Sequence, residues 1–260
     1  MTFPGPPVPA AVFAPKTAAA RARALVLAPV LPQWDEGAFF APVVRALTGA
    51  GVHVTVVDTL AAWDEDVTSL AALTDRWRTL LPRFGPFDLL CGNALGGALA
   101  QALLPAVDPA TGVLLVSAPA VADALLESRL TEIADAAGAG RLAESLALLH
   151  HYVLPEGTPE QAPADAVLAD PGGAARRLAG GLPLLCGIDS TDAVTGHPGP
   201  LLNVVGGRSR LVGARHTAAA PHHHVQVMPG CGMRPHTESA PEVSAAVADF
   251  TGAFLREREL

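Results

Sequence analysis

At 260 residues, half of them apolar (50%), the chain can bury the core of one α/β domain, and nothing in its length asks for a second. A formal charge of −8 without any Lys/Arg cluster leaves no electrostatic footprint for nucleic acid or an anionic membrane. Cys91, Cys186 and Cys231 are odd in number and lack CxxC spacing, so neither a disulfide framework nor a zinc site is implied, no metal or other cofactor is expected, and a reducing cytoplasm is the expected setting.

The N-terminal stretch MTFPGPPVPAAVFAPK has no basic segment leading into an apolar run, and no segment reaches transmembrane length without Pro, Gly or charge. Residues up to about 20 read as a loose Pro-rich arm. From residue 22, short apolar runs alternate with helical patterns, the mark of βαβ units and a mostly parallel sheet. Residues 23–29 (RALVLAP) read as a buried strand, 39–50 as a helix, 52–58 (VHVTVVD) as a strand and 70–81 as a helix. Next, 87–91 (FDLLC) is a strand that runs through Gly92, Asn93, Ala94, Leu95, Gly96 and Gly97 into a helix stopped by Pro105. Residues 113–117, 201–205 and 225–228 are further strands, and 241–256 has helical spacing with an acidic start.

Between residues 118 and 197 the strand signal stops. Ala/Leu/Glu/Arg-rich helical segments take over, broken near Pro155, Pro163, Pro171 and Gly180. Such an insertion reads as a lid that splits the core into 1–117 and 198–260, and its Leu142, Leu146, Leu148, Leu149, Tyr152 and Val153 suit an apolar pocket beneath it. An ordinary helical layer has the same composition.

The strand–GNALGG–helix unit resembles the nucleophile elbow of α/β-hydrolases, where GxSxG sets a serine on a strained turn. The resemblance spans residues 22–255 and implies that fold, a central, mostly parallel sheet flanked by helices with a helical lid. It also implies a Ser/acid/His triad, and here the chain departs from the pattern. Ala94 stands at the nucleophile position, and alanine has nothing to attack a carbonyl with. A pattern like VxGxxDxxV aligns with VVGGRSRLV at residues 204–212, putting Ser209 at the acid position. One like GxGHxPHxExP aligns with GCGMRPHTESAP at residues 230–241, one residue longer, putting Met233 at the histidine position. Three changes within one triad point to a coordinated loss.

The loop after the first strand, Ala28-Pro29-Val30-Leu31-Pro32-Gln33-Trp34, lacks the HG of many hydrolases, and its prolines remove two donors. The N–H groups of Val30 and Leu95 remain candidates to polarise an oxygen. Val30, Trp34, Asn93, Leu95 and Cys231 are the expected substrate-binding residues. His236 is either a displaced base or a capping residue at the core edge. His222, His223 and His224 invite a metal reading, but in an extended segment only His222 and His224 share a face, and two ligands make no site. Cys91 should turn into the sheet, and neither it nor Cys231 has an evident base to form a thiolate.

The function expected from these residues is a non-hydrolytic, hydrolase-like enzyme of natural-product biosynthesis, acting on a small or carrier-protein-bound apolar intermediate by cyclisation, rearrangement or acyl transfer. The alternatives are a non-catalytic ligand binder and a hydrolase with a displaced nucleophile such as Cys231 with His236. A second copy of the chain is the expected oligomeric partner.

Overall fold

A computed structural model describes residues 7–16, 19–159 and 168–258. Its centre is a seven-stranded sheet: β1 (Ala10–Phe13), β2 (Ala22–Leu27), β3 (Val52–Val57), β4 (Leu89–Asn93), β5 (Gly112–Val116), β6 (Leu201–Gly206) and β7 (His224–Met228). The strands lie in the order β1-β3-β2-β4-β5-β6-β7. All neighbours are parallel except β1, which pairs antiparallel with β3. Strands β4, β5 and β6 are buried along their whole length, as expected of parallel strands covered on both faces and read as continuous apolar runs.

Helices α1 (Ala41–Gly49), α2 (Leu70–Leu80) and α3 (Ala94–Leu103) follow β2, β3 and the β4 turn in the core. Local chemistry starts them: Pro42 opens α1, and the Ser69 hydroxyl accepts the Ala72 N–H at the start of α2, 3.2 Å. The insertion between β5 and β6 holds α4 (Ala124–Gly138), α5 (Leu142–Val153), α6 (Pro171–Gly181) and the short α7 (Thr191–Thr195). Asp123 caps α4 through the Leu126 N–H (2.8 Å), and Asp170 caps α6 through the Gly173 N–H (2.8 Å). After β7 come the single-turn α8 (Pro235–Glu238) and α9 (Ala240–Arg258), which packs against α1.

The arm read as loose over residues 1–20 contains β1. Alternation is short there and Pro-rich flanks mask it, yet four register pairs with β3, from Ala10↔Val57 to Phe13↔Val54, fix it on the sheet edge. Residues 1–6, and the break read at Pro163, lie outside the described residues.

The sheet divides the core into two apolar layers. One holds Trp77, Leu95, Leu99, Leu130 and Met233 under α2, α3 and the insertion. The other holds Val26, Phe40, Val43, Leu47, Cys91 and Phe254 under α1 and α9.

Candidate functional site

The site forms at the C-terminal edge of the parallel strands, where an open α/β sheet ordinarily binds ligands. Ala94, the first residue of α3, has φ of +46°, a left-handed conformation that strains a residue carrying Cβ. The turn holds because backbone fills the space around it. A Cβ on Gly92 would lie 2.5 Å from the Gly96 carbonyl carbon, and one on Gly96 would lie 2.0 Å from the Leu27 carbonyl oxygen. Strand β4, α3 and the end of β2 therefore touch through glycine alone.

A second close approach joins the loops after β6 and β7. A Cβ on Gly206 would sit 1.8 Å from the Gly232 oxygen, and the Arg208 N–H donates to the Cys231 carbonyl at 2.8 Å. Ser209 and Met233 consequently meet, with Oγ 3.9 Å from Sδ. The Ser209 hydroxyl also accepts the Leu211 N–H at 3.2 Å. The β7 loop is tied to the insertion as well, since the Met233 N–H donates to the Val153 carbonyl at 3.0 Å.

Ala94, Met233, Val30, Asn93 and Leu95 line one apolar cavity. The insertion roofs it with Leu126 and Leu130 of α4, Leu149 and Val153 of α5, and Leu182 and Leu185 beyond α6. Its volume is about 70 Å³, below the ~300 Å³ of an ordinary small-molecule site. Asn93 faces the cavity with its amide nitrogen committed, Nδ2 donating to the Val116 carbonyl at 2.7 Å. The N–H of Val30 makes no hydrogen bond among the described residues, and that of Leu95, in the first turn of α3, has no intrahelical acceptor.

Ser209 does not line the cavity and reaches it only through Met233, and three further expected site residues lie elsewhere. Trp34 packs against the opposite apolar layer, because the loop after β2 turns over the sheet edge beyond Pro32. Cys231 is buried in that layer too, and burial raises its thiol pKa, with Glu238 adding to the effect. His236 is fully buried, its ring 4.8 Å from Phe39 and 5.6 Å from Phe40. Its Nε2 donates to the Phe39 carbonyl at 3.1 Å, and burial pushes its pKa down to about 4. It is a neutral core-edge residue, off the cavity, and the Cys231–His236 pair has no access to Ala94. Cys91 is likewise sealed in the sheet, its thiol pushed up to about 12 by burial.

The histidine run converges differently from the extended reading. Residues 221 and 222 form a turn, so His222 and His223, with Nε2 at 3.1 Å and 3.0 Å, both meet the His197 carbonyl. That leaves His224 to start β7. No cluster of three metal-ligating side chains exists among the described residues.

Sequence reading missed Phe39, Leu211 and Arg234 in the cavity wall. Arg234 was legible as the neighbour of Met233, whereas Phe39 enters only because the loop after β2 folds back.

No family model matches the chain, and no curated protein does. Solved structures do. A bromoperoxidase from Bacillus anthracis superposes with a TM-score of 0.73 at 16% identity, over 95% of this chain and 96% of its own. MGS-M2, an α/β hydrolase enzyme from a Medee basin deep-sea metagenome library, gives 0.73 at 11% identity over 94% of each chain. A thermophilic esterase from Thermogutta terrifontis gives 0.64 at 20% identity, over 95% of this chain and 94% of its own. Strand order, elbow and near-complete coverage together identify the architecture of this chain as the α/β-hydrolase fold.

Proposed function

We propose that the chain is a non-hydrolytic enzyme of natural-product biosynthesis, which binds an apolar acyl intermediate, free or carrier-bound, and promotes its cyclisation, rearrangement or transfer. The observation that carries this reading is the convergence of Ala94 and Met233 on one apolar cavity, with Ser209 in contact with Met233. The elbow keeps its strained geometry while the three positions hold no nucleophile, no acid and no base. What remains is a shaped pocket and two backbone donors, Val30 and Leu95, able to polarise a carbonyl. Orientation of that kind contributes up to roughly 7–11 kcal/mol to a reaction already feasible, and a site without an activated nucleophile spares a labile ester or thioester from water.

The cavity is too small for such a ligand as it stands, so binding displaces the roof formed by α4 and α5. The test is kinetic. Ala94→Ser is expected to leave hydrolysis of activated esters and thioesters at background, since Ser209 and Met233 supply neither acid nor base. Burst kinetics in that variant would overturn the triad alignment, and burst kinetics in the native protein would reveal another nucleophile. If a pathway intermediate binds and neither its rate nor its product distribution changes, the protein is a binder.

A further inference from the structure

Among the described residues, Arg234 is the only charged side chain in the cavity wall, which is otherwise apolar apart from Asn93. Its guanidinium has no hydrogen-bond or ion-pair partner among the described residues. Its Cζ lies 5.5 Å from the centroid of the Phe39 ring, a cation–π contact that holds the plane in place without using its donors. The nearest acid is committed elsewhere. Glu238 accepts the Arg234 backbone N–H at 3.0 Å through one oxygen and the Gly232 N–H through the other, and it acts on the guanidinium only by attraction through space. Burial lowers the Arg234 pKa and outweighs that attraction, but a guanidinium stays charged at any physiological pH.

An arginine fork left without an acceptor at the edge of an apolar pocket matches a planar carboxylate. Resting on the reading of this cavity as a ligand site, we infer that its ligand is amphipathic: an apolar chain under the α4–α5 roof and a carboxylate forked on Arg234. The loop fixes the head by two independent means, the Phe39 ring beneath the guanidinium and the Glu238 carboxylate holding the backbone of the β7 loop. The lining leaves the tail free of polar demands. A carboxylate-bearing chain is thus bound by its unreactive end or presented beside the Val30 and Leu95 donors.

The experiment is calorimetric titration of the full chain with octanoate, octanol and octylamine, each at a concentration below its micellar range. Octanoate is expected to bind roughly 10- to 100-fold more tightly than octanol, the range of hydrogen bonds to a charged partner, and octylamine more weakly than either. In Arg234→Gln the ratio of octanoate to octanol affinity is expected to fall to about one, and Arg234→Lys recovers part of that ratio. Near-UV circular dichroism checks that both variants keep the native packing. Equal binding of octanoate and octanol by the native protein, or an undiminished preference in Arg234→Gln, overturns the inference and leaves the apolar-pocket reading intact. Failure of all three compounds to bind removes that reading and the inference together.

Discussion

Ala94 holds a left-handed backbone at φ +46°, and its methyl side chain makes no hydrogen bond to offset that strain. Relieving it is therefore a direct test of the elbow. Ala94→Gly is expected to raise stability by about 1 kcal/mol, the lower end of the left-handed penalty for a residue with Cβ, read as a higher urea midpoint. Gly96→Ala is expected to do the reverse, by about 3 kcal/mol or more, because its Cβ would lie 2.0 Å from the Leu27 carbonyl oxygen and backbone must move. A neutral Gly96→Ala variant would show that β2 and α3 are looser than this packing. The elbow glycines were legible from their spacing. So was the close strand–helix approach that excludes a side chain at Gly92, but the Leu27 and Ala118 neighbours of Gly96 and Gly97 are brought close only by folding.

At the scale of elements, the insertion is bolted to the core through α6. Arg177 forks onto Asp58 at 2.9 Å and 2.8 Å and donates from Nε to the Leu31 carbonyl at 2.7 Å. Asp58 is nearly buried, with its side chain 5% exposed against 20% for Arg177. The bond therefore fixes α6 and the loop bearing Val30 together. Arg177→Met leaves the Asp58 charge buried and unpaired, and is expected to lower stability by about 3 kcal/mol and to loosen the loop after β2. Thermal melts and hydrogen exchange at residues 30–33 check both outcomes; unchanged exchange there would mean that the loop does not depend on α6. Composition announced a helical segment between the breaks read at Pro171 and Gly180, where α6 lies. Its partner 119 residues away was beyond any local pattern.

For the whole molecule, acid is the sensitive direction. Burial depresses the pKa values of His197, His216, His223 and His236, the last to about 4 from 6.5. In each case the folded protein binds the proton less readily than the unfolded chain, so the contribution to stability is present above about pH 6.5 and is lost as pH falls toward the folded value. For His236 the loss across that interval is about 3 kcal/mol. Asp123 stays ionised throughout: burial raises its pKa, but the Leu126 N–H, Arg215 and His216 together hold it well below the usual carboxylate range. Urea midpoints are expected to fall between pH 7 and pH 5, and His236→Gln, which keeps a donor for the Phe39 carbonyl, is expected to flatten the profile. A parallel profile in that variant would place the acid sensitivity elsewhere.

The sequence by itself determined the chain order of β2 to β7 and of the core helices, the mostly parallel sheet and the glycine-bearing turn before α3. These follow from apolar runs, periodicity and glycine spacing, all of which are local. Only the tertiary structure brought Phe39 into the cavity wall, put Trp34, Cys231 and His236 in the opposite layer or the core edge, and recovered β1 from the Pro-rich arm. The physical reason is that direction and partnership are set where loops fold back and elements meet. A residue's distance from Ala94 in space depends on those close approaches, which chain spacing does not encode.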